Sequence, residues 1–99
     1  MVIPASSTEY LHITVTAPAG VDLTATTPRI AILSMSNRNN PSTVDWHIGD
    51  WASPTEARLL IGPDGGALTL TPGDYHVWVS VDPAGSENIV RLSGYLGIT

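Results

Sequence analysis

Ninety-nine residues with no cysteine form one domain that must close its core without disulfides and without thiolate-held metal. The net charge of −5, set against four scattered arginines (Arg29, Arg38, Arg58, Arg91) and no lysine, repels a phosphate backbone and argues against a nucleic-acid partner. Charged residues are 13% of the chain, far below the usual quarter, and a surface built from Thr, Ser, Gly and Pro suits a protein packed against neighbours.

Residues 1–7 read as an N-terminal arm ahead of a domain spanning 8–99. Val2 and Ile3 precede Pro4 and a small polar spacer, which gives the arm an apolar tip for docking on a partner. The first residues lack the basic and apolar regions of a secretory signal, and no stretch is long enough to cross a bilayer as a helix. Neither secretion nor a membrane partner is expected. From Thr8 to Thr16 the chain alternates, with Leu11, Ile13 and Val15 on one side and Tyr10, His12 and Thr14 on the other, as in a half-buried strand. Ala17-Pro18-Ala19-Gly20 is a turn, and Val21 to Thr24 a short edge piece. Pro28 opens Arg29 to Met35, a near-continuous apolar run whose isoleucines at two-residue spacing indicate a central strand.

Ser36 to Ser42 is a polar loop. Val44, Trp46 and Ile48 alternate with Asp45 and His47, and this strand is expected to supply a core tryptophan. Gly49 to Pro54, with Trp51 inside it, reads as a turn. Glu56 to Ile61 is a strand stopped by Gly62-Pro63-Asp64-Gly65-Gly66. Leu68 and Leu70 form a short alternating run before Pro72-Gly73. Tyr75, Val77, Val79 and Val81 then fall on one face of a strand, with His76, Trp78 and Ser80 on the other. Leu70, Gly73 and Tyr75 sit where a tyrosine corner places them, the hydroxyl bonding to backbone near Leu70 to Pro72. The last strand runs from Asn88 to Ile98, with Val90, Leu92, Leu96 and Ile98 on one face and Arg91, Ser93 and Tyr95 on the other.

About seven or eight short strands at regular spacing, without a helical period, indicate an all-β, immunoglobulin-like antiparallel sandwich. Its expected core is Leu11, Ile13, Ile32, Trp46, Tyr75, Val77, Val79, Leu92 and Leu96.

Little in the chain speaks for chemistry. Asp45, His47 and His76 would share a face if the strand at 44–48 paired with the one at 74–81, but their spacing is not a zinc motif, so no metal or other cofactor is expected. No serine sits in a Gly-x-Ser-x-Gly elbow, and no Gly-rich loop links a strand to a helix; no catalytic residue is assigned. The aromatics point elsewhere. Trp78 is out of phase with the valines around it, and Tyr95 is outward by the same parity. With Asp45, His47, His76, Arg91 and Ser93 they make an outer face rich in the residue types that anchor protein interfaces. Val2, Ile3, His47, His76, Trp78, Arg91 and Tyr95 are the candidate partner-binding residues.

The run Trp46 … Arg58-Leu59 … Ile61-Gly62-Pro63 … Gly66 … Leu68-Thr69-Leu70-Thr71-Pro72-Gly73-Asp74-Tyr75-His76-Val77-Trp78-Val79 … Val90-Arg91-Leu92-Ser93-Gly94-Tyr95-Leu96 resembles the small immunoglobulin-like structural proteins of tailed bacteriophages, especially those of actinobacteria. The similarity spans roughly residues 8–98, and fibronectin-type and cell-surface sandwiches share its tyrosine corner. It implies a non-enzymatic virion component, a capsid decoration or minor head or tail protein. Such a protein is made in the host cytoplasm and attaches to a major capsid or other virion protein, or to its own symmetry mates. A carbohydrate- or cell-surface-binding module, with Trp78 and Tyr95 stacking on a sugar, is the alternative.

Overall fold

The computed structural model describes residues 2–15, 24, 26–36, 40–81 and 89–99, without the side chains of 89 and 91. Among them the strands are β1 (Val2–Ile3), β2 (Glu9–Thr14), β3 (Arg29–Ser34), β4 (Trp46–Ile48), β5 (Asp50–Ser53), β6 (Glu56–Ile61), β7 (Gly73–Val81) and β8 (Ile89–Ile98). They form a five-stranded sheet in the order β1-β8-β7-β3-β4 and a three-stranded sheet in the order β2-β6-β5. This is the strand order of an immunoglobulin-like sandwich. Pairings are antiparallel with one exception, β1 against β8, which is parallel.

The alternation read from β7 sets the layers. Val77, Val79 and Val81 are buried, and they oppose Leu11 and Ile13 of β2 and Ala57, Leu59 and Ile61 of β6 across one cluster. Ile30 and Ile32 of β3 and Leu96 and Ile98 of β8 complete the inner face of the larger sheet. The expected core members Leu11, Ile13, Ile32, Val77, Val79 and Leu96 are all there, and Tyr75 packs half-buried at its margin. The tyrosine corner also forms: the Tyr75 hydroxyl donates to the Thr71 carbonyl at 2.7 Å.

Two expected core residues lie elsewhere. Trp46 is half-buried and pairs with Ala31, on the side of β3 opposite to Ile30 and Ile32. Its phase is reset by a 3-10 turn, Thr43–Asp45, in which the Asp45 carboxylate accepts from the Ser42 N–H at 2.8 Å and the Ser42 hydroxyl at 2.9 Å. The tryptophan that packs on the core is Trp51, whose indole N–H donates to the Thr26 carbonyl at 2.8 Å. Leu92 is 51% exposed. Val77 pairs with Gly94 but Trp78 with Leu92, so Ser93 is skipped and the bulge inverts the parity of the strand before it.

Other segments also differ from their expected form. The turn expected at Gly49 to Pro54 contains β5. Leu68 and Leu70 lie outside any strand and pack half-buried on the core. The segment expected as a free arm contains β1, whose Ile3 belongs to the core, while Val2 stays exposed. The expected turn at Ala17 to Gly20 and the edge piece at Val21 to Thr24 lie outside the described residues, Thr24 excepted.

On one long side the sandwich is closed by the chain itself, which passes from β4 in one sheet to β5 in the other through Gly49 alone. The Gly49 N–H donates to the Pro28 carbonyl at 2.9 Å, and a Cβ at this position would stand 2.6 Å from the Arg58 carbonyl oxygen and 3.1 Å from Ile30 Cδ1. The first obstacle is backbone and cannot swing aside. Gly49→Ala is therefore expected to lower stability by about 1–3 kcal/mol in denaturant titration. Tyr75→Phe, which leaves the ring in place and removes the corner hydrogen bond, should cost about 1 kcal/mol in the same measurement.

Candidate functional site

The outer faces of the two sheets differ in chemistry. On the three-stranded sheet the outward side chains satisfy one another. The Arg58 guanidinium bonds both oxygens of Asp50 at 2.9 and 3.1 Å and lies 4.3 Å from the centre of the Tyr10 ring. The His12 imidazole contacts Glu56 on the neighbouring strand. The hydrogen bond from Arg58 holds the Asp50 carboxyl below its usual range and, in return, pushes the guanidinium up. Such exposed pairs contribute little to stability, but they leave the polar side chains of this face with partners of their own.

The outer face of the five-stranded sheet is apolar across its width. Register places Trp46 of β4, Ala31 of β3, Trp78 of β7 and Leu92 of β8 in one row. The small Ala31, between the two indoles, is fully buried although it lies outside the core. A second row runs Leu33, His76, Tyr95, and a third Ile48, Arg29, Ser80, Val90. Ile48 is 72% exposed, and Leu92 and Tyr95 stand well out of the sheet. Among the described residues, Trp51 is the one tryptophan whose indole N–H is hydrogen-bonded; Trp46 and Trp78 have only part of their surface covered.

Tyr95 is fixed along the sheet. Its hydroxyl donates to Asp74 Oδ1 at 2.7 Å, and the ring lies over Gly97, where a Cβ would come within 2.7 Å of the hydroxyl. The hydrogen bond to Asp74, reinforced by desolvation and by the carboxylate charge, raises the phenol above its ordinary value. An anchored aromatic loses little freedom when a partner covers it.

The sequence-derived set is only partly brought together. His76, Trp78 and Tyr95 share this outer face. His47 does not join them, because it pairs with Ile30, whose side chain points to the core. β4 pairs with β3 rather than β7, so Asp45, His47 and His76 are not gathered. Among the described residues no group of three His, Asp or Glu side chains is placed to share a metal ion. Ile3 is occupied in the core, and Val2, 63% exposed, lies on β1 beside β8. Arg91 pairs through its backbone with Val79, and its side chain lies outside the described residues. Sequence reasoning missed Trp46, Ile48, Val90 and Leu92 as members of the face. The one available signal was Gly94 inside a strand pattern, a common mark of a bulge.

Comparison of the chain with protein-family models, with curated proteins and with solved structures found no match.

The Tyr95–Asp74 bond has a pH signature. A phenol whose folded value is raised contributes stability that is fully present below the unfolded value of about 10 and is lost as pH rises through the folded value. An ultraviolet titration compared with that of Tyr95→Phe should show Tyr95 ionising later than a free phenol. In Asp74→Asn its ionisation should move back toward the ordinary range.

Proposed function

We propose that this chain is a non-enzymatic virion structural protein of a tailed bacteriophage, a capsid decoration or minor head or tail protein, held on the particle through the outer face of its five-stranded sheet. The observation that carries the attachment surface is the row Trp46–Ala31–Trp78–Leu92, an apolar band across the strands opposite a face of internally paired charges. The phage assignment rests on the resemblance of residues 8–98 and on the charge-poor, lysine-free composition.

Tryptophan and tyrosine are the residue types that dominate measured interface energies, and covering the exposed half of a side chain such as Leu92 contributes about 1 kcal/mol. That is weak for a single copy. On a symmetric particle, where each copy touches a major structural protein or a symmetry mate, several such contacts act together and residence becomes long.

Trp78→Ala and Leu92→Asp remove or charge side chains outside the core, so both variants should melt as cooperatively as the parent. Copies per purified particle, counted by quantitative mass spectrometry, should fall by about tenfold. Equal occupancy of the variants would reject attachment through this face. Absence of the parent protein from purified particles would reject the virion reading itself.

A further inference from the structure

The two long sides of the sandwich are not closed alike. At the β4–β5 side the chain bridges the sheets through Gly49. At the other side β1 covers only Gly97 and Ile98 of the ten-residue β8, and β2, among the described residues, pairs with β6 alone. Among the described residues three strands thus face five, and the shortfall includes the β2 side.

A crevice of about 160 Å³ lies there. Leu11, His12 and Ile13 of β2, Val77 of β7, and Ser93, Gly94 and Tyr95 of β8 line it. The bulge at Ser93 is in its wall. Gly94, paired with the inward-facing Val77, brings no side chain to fill the space, and a Cβ at Gly94 would meet nothing within 4 Å. Along the rim runs the outer edge of β2, six residues without a bulge, with half of its backbone N–H and C=O groups directed away from β6.

We propose that this side accepts an extended strand of another protein. The strand pairs with the outer edge of β2 and turns every second side chain into the crevice, against Val77 and beside Gly94. The geometry specifies its chemistry. A backbone edge calls for a backbone partner, and the aliphatic side chains of Leu11, Ile13 and Val77 in the crevice call for small or β-branched aliphatic residues at alternate positions. Glu9 opens β2, so lysine or arginine at the end of the incoming strand that meets it complements the rim. Charge also disfavours a second copy of this chain as the occupant, since each copy carries −5. The site shares only Tyr95 with the outer face described above, and neither proposal depends on the other.

The test uses the full chain, isotope-labelled for NMR, and a short synthetic peptide with valine at alternate positions, threonine between them and lysine at each end. The amide signals of Leu11, His12, Ile13 and Gly94 should shift on titration, and the β2 amides should exchange more slowly. The same peptide N-methylated on alternate residues keeps its charge and side chains but loses the donors that pair with β2, and it should not bind. Gly94→Val places a side chain in the open space and should weaken binding at least about tenfold while the protein still melts cooperatively. If Gly94→Val does not fold, Gly94→Ala is read in its place, and the methylated peptide decides independently of either variant. Unchanged spectra at about millimolar peptide, equal binding of the methylated peptide, or equal binding by the Gly94 variant would overturn the proposal. So would concentration-dependent protection of the β2 amides in the protein alone, which would make a second copy the occupant.

Discussion

Val77, Val79 and Val81 set the phase on which the rest of the molecule depends. Their strand, β7, lies at the middle of the larger sheet and pairs with β3 on one side and β8 on the other. Because strand side chains alternate strictly, burying these three valines against Leu11, Ile13 and Leu59 forces His76, Trp78 and Ser80 to the opposite surface. The same choice passes through the hydrogen-bonded registers. Ile30 and Ile32 turn inward with the valines, and Ala31 and Leu33 turn outward with the tryptophan. A slip of β7 by one residue would place an indole, an imidazole and a hydroxyl in the core and the valines in water.

Once that phase is set, the unequal size of the sheets decides what remains to be recognised. Among the described residues three strands face five, and the chain handles the two sides differently. A glycine crossing seals one side, while a two-residue strand covers only the end of β8 on the other. The outer surfaces are unequal as well. Arg58, Asp50, Tyr10, His12 and Glu56 contact one another on the small sheet, and the large sheet presents tryptophan, leucine, isoleucine and a fixed tyrosine. Where polar groups have internal partners, a binding protein gains little by replacing them; where apolar groups stand in water, covering them is favourable in proportion to the area removed. The division between the faces is therefore a division between surface kept in water and surface suited to contact.

β8 joins these features. Its bulge at Ser93 turns Leu92 outward to extend the row begun by Trp46, and Gly94, next to the bulge, leaves the crevice open on the core side. One irregularity thus serves both surfaces. Tyr95 lies just beyond it, its ring over Gly97 and its hydroxyl on Asp74.

The sequence by itself determined the all-β class, most strand positions, the valine face of β7, the outward turn of Trp78 and Tyr95, and the tyrosine corner. Each of these is a local matter, a period of two or a turn of a few residues, and a local pattern carries it. Tertiary structure alone decided the rest. Trp46 left the core because β4 begins after a 3-10 turn and pairs with β3, so that Trp51, in a segment with turn-like composition, became the tryptophan packed on the core. Leu92 left it because a bulge depends on how two strands match over their length, which neither strand encodes alone. His47 lies apart from His76, and Ile3 is held in the core rather than offered to a partner, because pairing between distant segments chose their neighbours. Alternation tells which residues share a face of one strand; only the packing of strands against one another tells which of those faces meets water.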